Sequence, residues 1–315
     1  MRLVKLAFSL SLLASAACAA SNQAPPAASV TSSRVATASS GSPRPPFQAR
    51  SFSVRVVGHG APMVLVPGLA CAGAVWDDFV RHYQDRFELH VLTLAGFAGE
   101  KPISGPLLET VRADLADYIR DHVSGKPVVV GHSLGGALGF WLAEEAPERV
   151  AAVVAVDGVP FLPALTDPSA TPEGMAPMAK QMAEGLAHAP PEAFRAQNRA
   201  VATSMVTDPA QVDRIASWGA ASDQATVGGA MAELMTHDLR AHEDRIRVPV
   251  LLFAATQGAP GAAARYEAQI AKIPDHRVAV DDHSRHFLML DDPAFLYSTL
   301  DAFLLSLAPK EGAHS

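Results

Sequence analysis

The chain has 315 residues, of which 49% are hydrophobic and 18% are charged. This balance predicts one large globular domain with a full core, whose stability should not depend on disulfides. The formal net charge is −7, and the sequence has no cluster of Lys and Arg. Binding of nucleic acid or of an anionic membrane surface is therefore not expected.

The first twenty residues have the three parts of a secretory signal peptide. Met1–Lys5 carries positive charge, residues 6–13 form an apolar run, and small residues fill positions 14–20. The run is too short for a stable membrane span, so we expect a secreted or periplasmic protein of bacterial type. Cys18 could instead carry a lipid anchor, but Ser15 stands where a lipoprotein signal has a Leu-like residue, so ordinary cleavage is favoured.

Residues 21–50 are rich in Ala, Ser, Pro and Thr and contain few large apolar side chains. Such a segment cannot bury enough surface to offset the entropy lost on ordering, so it is predicted to be a disordered tether. The folded domain is expected at residues 51–310. Once the signal peptide is removed only Cys71 is left, so no intrachain disulfide is predicted.

The folded part begins with strand patterns. Phe52–Val57 alternates in polarity and is followed, after Gly58-His59-Gly60, by Pro62–Val66, which predicts an antiparallel hairpin. Strand and helix patterns then alternate, with a strand at 87–92, a helix near 107–123, a strand at 128–130, a helix to about 145 and a strand at 150–156. This alternation predicts a mostly parallel sheet with helices on both faces.

Between about residues 160 and 235 the sequence changes to Ala-, Met- and Pro-rich amphipathic segments, such as 175–186 and 191–205. We interpret this region as a helical lid inserted into the sheet. The earlier pattern then resumes with a strand at 248–253, a helix near 261–272, a strand at 276–280 and a closing helix at 293–307.

The most informative motif is the G-x-S-x-G sequence Gly131–Gly135, which follows a run of three valines and precedes a helical pattern. A strand, sharp turn and helix in this order present the Ser hydroxyl at the turn. Because that hydroxyl is a weak nucleophile at neutral pH, it needs a His to take its proton, a carboxylate to orient the His, and N–H donors for the oxyanion. Ser133 is thus predicted to be the nucleophile of a serine hydrolase.

Over roughly residues 52–307 the chain resembles the α/β-hydrolase superfamily in this motif and in the order of its elements. The resemblance implies an α/β fold, with a mostly parallel central sheet flanked by helices and an inserted helical lid. Val64–Ala70 matches the family's oxyanion loop, although Pro67-Gly68 replaces the usual His-Gly. The implied oxyanion donors are the backbone N–H groups of Leu69 and Leu134, which need no particular side chain.

The resemblance also places the catalytic His after the last strand. His286 fits best, because an aromatic residue follows it and an acidic-Pro helix start lies beyond, and His283 is the alternative. The family's commonest acid position, after residues 250–253, holds no carboxylate here. Some members carry the acid one strand earlier, where this chain has Asp157. Asp157 is therefore the predicted acid, with Asp238 in reserve.

These residues predict a serine hydrolase that cleaves small-molecule carboxylic esters through an acyl-enzyme, without a cofactor and without a metal. An aminopeptidase, a lactonase or a carbon–carbon hydrolase would use the same triad, so these activities stay open. The remaining alternative is a non-catalytic binding protein with a hydrolase-like fold, because the commonest acid position is empty.

Overall fold

The computed structural model describes residues 50–307. The predicted signal peptide, its Cys18 and the tether up to residue 49 lie outside the described residues, and they stay predictions. Within residues 50–307, none of the helices is both long and apolar enough to cross a membrane.

A seven-stranded sheet forms the centre of the described part. Its strands are β1 Phe52–Gly58, β2 Ala61–Val66, β3 Phe87–Leu94, β4 Val128–His132, β5 Ala152–Val156, β6 Val250–Ala255 and β7 His276–Asp281. The strands lie in the order β1-β3-β2-β4-β5-β6-β7. Only the β1–β3 pair is antiparallel, so the expected mostly parallel sheet is confirmed.

Helices connect the strands. They are α1 Asp77–Tyr83, α2 Leu107–His122, α3 Leu134–Glu145, α4 Pro172–Ala187, α5 Pro191–Met205, α6 Pro209–Ala221, α7 Gln224–Thr236, α8 Ala262–Ala268, α9 Leu288–Asp291 and α10 Pro293–Leu307. The predicted α/β class is therefore confirmed. The predicted strand and helix near residues 128–145 also match β4 and α3.

The sheet separates two apolar layers, because alternate residues of a strand point to opposite faces. Val129 and Val153 belong to one layer, which includes side chains of α2 and α3, and Val130 and Val154 belong to the other, which includes side chains of α1 and α10. Every residue of β4 and β5 is buried. Their continuous runs of Val and Ala fit strands that are covered on both faces.

The predicted hairpin between the first two strands is wrong. β1 pairs with β3, and β3 lies between β1 and β2. Residues 63–66 of β2 are all fully buried, and this strand takes β3 and β4 as its two neighbours. The glycines between β1 and β2 pack closely against the start of β3, since a Cβ on Gly58 would lie 2.4 Å from the carbonyl oxygens of Gln84 and Phe87. Local sequence predicted the turn correctly but not the partner of β1.

Helices α4–α7, called the helical insertion below, lie between β5 and β6. In the insertion α4 packs on α7, and α5 packs on α6. The segment that leads from β5 into the insertion is held by Gln269. The Gln269 side chain accepts from the Phe161 N–H (3.1 Å) and donates to the Phe161 carbonyl (2.9 Å). The returning chain bonds to it through Leu239 N–H and the Pro160 carbonyl, 3.3 Å apart. The function of the helical insertion as a lid stays a prediction.

Candidate active site

Ser133 lies at a strained turn between β4 and α3. Its backbone φ and ψ are +52° and −115°, in a region that non-glycine residues rarely occupy. Such a conformation costs about 1–3 kcal/mol and persists only where surrounding contacts enforce it. Here the Ser133 N–H donates to the Val156 carbonyl (2.9 Å), and its own carbonyl accepts from the Gly136 N–H (2.9 Å).

The glycines of the motif allow this turn to close. A Cβ on Gly131 would lie 2.1 Å from the Gly135 carbonyl, and one on Gly135 would lie 2.3 Å from the Val66 carbonyl oxygen. Both distances are shorter than any real Cβ contact, so these positions exclude a side chain. The second contact also brings the start of α3 against the segment that follows β2.

Backbone strain gathers at one edge of the sheet. Within residues 50–307, the non-glycine residues with positive φ are Ala70, Ala98, Ser133, Asp157 and Gln257. Each follows the carboxyl end of a strand from β2 to β6. In open parallel sheets this edge is where ligands bind, so the strain marks the same place as the nucleophile motif.

Asp157 and His286 meet at this edge. His286 Nδ1 donates to Asp157 Oδ2 over 2.5 Å, because a carboxylate only accepts. The side chain of Asp157 is 7% exposed and that of His286 is 25% exposed, so the pair is largely shielded from water. With its proton on Nδ1, neutral His286 keeps a lone pair on Nε2 to accept a proton.

The other oxygen of Asp157 is also bound. Oδ1 accepts from the backbone N–H of Ala255 (3.1 Å) and from the hydroxyl of Tyr266 (2.6 Å). Burial and the neighbouring Asp157 raise the pKa of Tyr266, so its hydroxyl stays protonated and donates. Ala255 lies at the end of β6, the strand next to β5. Its N–H therefore reaches Asp157 from the neighbouring strand.

The alternative residues lie elsewhere. Asp238 binds the guanidinium of Arg240 through both oxygens, at 2.9 Å to Nε and 2.6 Å to Nη2. His283 is exposed, and its backbone N–H donates to Asp281. The structure therefore brings together Asp157 and His286, and neither alternative joins this pair.

The segment from 282 to 287, called the base loop below, is held by Asp281 at the end of β7. Its oxygens accept from the N–H groups of His283 (2.8 Å) and Ser284 (3.3 Å) and from the Ser284 hydroxyl. Burial tends to raise the pKa of Asp281, but these hydrogen bonds hold it below its usual range. An ionised Asp281 therefore fixes the turn that presents His286.

His132, the residue before Ser133, contacts the base loop. Its Nε2 donates to the backbone carbonyl of His286 over 3.0 Å, and its ring centroid lies 4.7 Å from that of His286. Burial, with the nearby His286, holds the pKa of His132 well below its usual range. A neutral His132 therefore links the strained turn to the base loop.

The predicted oxyanion donors follow two neighbouring strands, β2 and β4. Leu134 is the first residue of α3, so its N–H has no acceptor within the helix. Leu69 is partly buried and follows β2, the strand next to β4. Their role as oxyanion donors stays a prediction.

Sequence reasoning missed residues that hold the predicted acid and base in place. Tyr266 supports Asp157 and Asp291 supports the base loop, and neither stands in a motif that would have indicated it. No group of three or more His, Cys, Asp or Glu side chains suited to a metal occurs within residues 50–307.

Comparisons with known proteins show which family the chain is similar to. A family model described as "alpha/beta hydrolase fold" matches residues 61–293. The pimeloyl-[acyl-carrier protein] methyl ester esterase of Nitrosomonas europaea is 29% identical over 262 residues, which cover 80% of this chain and 99% of that protein.

Solved structures give the same fold. An esterase from Thermogutta terrifontis superposes with a TM-score of 0.69 at 19% identity, over 82% of this chain and 94% of that one. An enol-lactonase from Burkholderia xenovorans gives 0.68 at 19% identity, over 81% and 96%.

Proposed function

Because this chain belongs to the alpha/beta-hydrolase family and is a hydrolase, we propose that it cleaves carboxylic esters through an acyl-enzyme intermediate. The observation that carries the proposal is the hydrogen bond between His286 and Asp157, largely shielded from water, at the sheet edge where Ser133 has a strained backbone. The named activity of the Nitrosomonas relative, hydrolysis of a methyl ester, supports it.

In the first half of the proposed reaction, Ser133 Oγ attacks the ester carbonyl carbon and its proton passes to His286 Nε2. The N–H groups of Leu69 and Leu134 hold the oxyanion, and Asp157 stabilises the imidazolium that forms. His286 then gives the proton to the leaving alcohol oxygen as the C–O bond breaks.

In the second half, water attacks the acyl-enzyme and gives its proton to His286 Nε2. The carboxylic acid leaves, and Ser133 recovers its proton. Every proton moves between substrate, water and these side chains, so the sequence balances without a cofactor. Substrates are expected to be small, neutral and moderately apolar acyl esters.

Turnover of p-nitrophenyl acetate, butyrate and octanoate tests this function. We expect the wild type to hydrolyse at least one of them and Ser133→Ala to lose about 10⁴-fold or more in kcat, as removal of a triad nucleophile does. Ser217→Ala, on the exposed side of α6, is the matched control and should keep wild-type rates. Ester hydrolysis that survives Ser133→Ala would contradict the proposal.

A second assay separates an active serine from the choice of substrate. A fluorophosphonate reacts with an activated Ser whatever the natural acyl group is. Labelling at Ser133 without turnover of any ester would point to the aminopeptidase, lactonase or carbon–carbon hydrolase alternatives. A folded protein that is not labelled would favour the non-catalytic binding protein.

A further inference from the structure

We propose that Tyr266 is a positioning residue of the triad, which orients Asp157 and sets how strongly its carboxylate attracts the proton on His286. The inference rests on the proposed function. It concerns a residue on α8 that lies 109 positions from Asp157 in the sequence.

The contact is short and largely shielded from water. The Tyr266 hydroxyl donates to Asp157 Oδ1 over 2.6 Å, and Tyr266 as a whole is 7% exposed. Together with the Ala255 N–H at 3.1 Å, it occupies Oδ1 and leaves Oδ2 to His286. A carboxylate group can rotate about its last side-chain bond. Because two donors hold Oδ1, the rotation is restricted and Oδ2 keeps pointing at His286.

The hydroxyl also acts on the charge of the carboxylate. A donor on Oδ1 stabilises the negative charge of Asp157, so less of that charge attracts the proton on His286. Without the hydroxyl, the carboxylate holds a protonated His286 more strongly. The base then loses its proton only at higher pH, because the attraction between opposite charges favours the imidazolium.

Two other titratable side chains act on this set, those of His132 and Arg265. The neutral ring of His132 lies beside His286, at 4.7 Å between centroids. Arg265, next to Tyr266 in the chain, acts on the tyrosine and opposes the effect of Asp157 on it. Replacement of Tyr266 by Phe leaves both in place, so the change in the pH profile reports the hydroxyl.

The test is the rate of fluorophosphonate labelling at Ser133 measured between about pH 5 and 9, where the acidic limb reports protonation of the base. In Tyr266→Phe we expect the limb to move to higher pH by about half to one unit and the plateau rate to fall about tenfold. A structural role alone would lower thermal stability and leave the limb where it is.

Tyr118→Phe is the matched control. It removes another buried tyrosine hydroxyl that makes a 2.7 Å hydrogen bond, here to Nδ1 of His90 on β3, which is not a residue of the triad. We expect a similar loss of stability with an unchanged limb. An unmoved limb in folded Tyr266→Phe, or an equal movement in Tyr118→Phe, overturns the inference.

A second measurement keeps every tyrosine hydroxyl in place. The chain has 4 tyrosines, and biosynthetic replacement of all of them by 3-fluorotyrosine makes each hydroxyl a stronger donor. The limb should then move to lower pH, the opposite direction to Tyr266→Phe. A limb that does not move overturns the inference even if Tyr266→Phe fails to fold. If the wild type is not labelled at Ser133, the proposed function itself fails.

Discussion

Asp157 combines a backbone turn with its predicted role as the acid of the triad. Its φ is +51°, and Asp is one of the few residues besides Gly that tolerate the left-handed region. Gly158 follows, and a Cβ there would lie 2.3 Å from the Ser133 carbonyl oxygen. The Asp-Gly pair is therefore a turn that brings the carboxylate past the end of β5, close to the nucleophile.

We expect Asp157→Asn to lower kcat by about 10³- to 10⁴-fold while the fold is kept. The Asn amide can donate to His286 Nδ1, which favours the tautomer with its proton on Nε2, and that tautomer cannot accept from Ser133. Ester turnover and circular dichroism measure the two effects.

Asp238→Asn makes the same chemical change at the reserve candidate. Its carboxylate binds Arg240 and not His286, so this variant should keep kcat within a few-fold and lose some stability. Wild-type rates in Asp157→Asn, together with a large loss in Asp238→Asn, would move the acid role to Asp238.

At the scale of elements, the C-terminal end of α5 is bonded to the base loop. Asp291 accepts from the Thr207 N–H (2.8 Å) and hydroxyl (2.7 Å), and its second oxygen accepts from the Arg285 N–H (2.8 Å). The Arg285 side chain donates to the carbonyls of Thr203 (2.8 Å) and Val206 (3.0 Å). Since Arg285 precedes His286, these bonds connect the helical insertion to the predicted base.

Asp291→Ala should break this connection. We expect a loss of about 1–3 kcal/mol in the free energy of unfolding, because several N–H and O–H groups lose their acceptor. The rate should also fall by about tenfold, because small displacements of a catalytic group are costly. Urea denaturation and ester turnover measure the two effects.

Asp213→Ala provides the comparison for this prediction. That carboxylate pairs with Arg199 within the insertion, and both side chains are exposed. Its loss should change stability by less than about 1 kcal/mol and leave the rate unchanged. Equal effects of the two variants would show that the bonds of Asp291 do not connect the insertion to His286.

For the whole molecule, the sheet carries the site. Ser133 follows β4, Asp157 follows β5 and His286 follows β7, and all three strands are parallel. Parallel strands end at the same edge, so residues far apart in the sequence meet there. The two apolar layers hold this edge in place, because both faces of the central strands are buried.

Whole-molecule stability should depend on one buried carboxyl outside the site. Glu243 is 2% exposed, and burial raises its pKa to about 7. A hydrogen bond from the Lys272 N–H and the positive charges of Lys272 and Arg240 oppose this rise of the pKa. Between its unfolded pKa near 4.5 and about 7 the folded state binds more protons, so the free energy of unfolding falls as pH rises.

Glu243→Gln removes this ionisation and keeps an oxygen that can accept from the Lys272 N–H. We expect it to be more stable than the wild type by about 1–3 kcal/mol near pH 8 and similar near pH 5, in urea denaturation at both values. Glu148→Gln, with a side chain 68% exposed, should leave the dependence unchanged. A wild type whose stability does not fall over this range would contradict the prediction.

Features that depend on neighbouring residues could be predicted from the sequence alone. The valine run of β4, the glycines around Ser133 and the alternation of strands and helices are local patterns, so they indicated the fold class and the sharp turn. His286 and Asp157 were named from their place in the order of elements, which the sheet preserves.

Contacts between residues distant in the sequence became known from the packed structure. Local patterns indicate that β1 is a strand but not that it pairs with β3, because pairing depends on which strands fill both sides of β2. The bonds of Asp157 to His286 and to Tyr266 join residues 129 and 109 positions apart. Such contacts form when separate elements pack, and no local pattern encodes them.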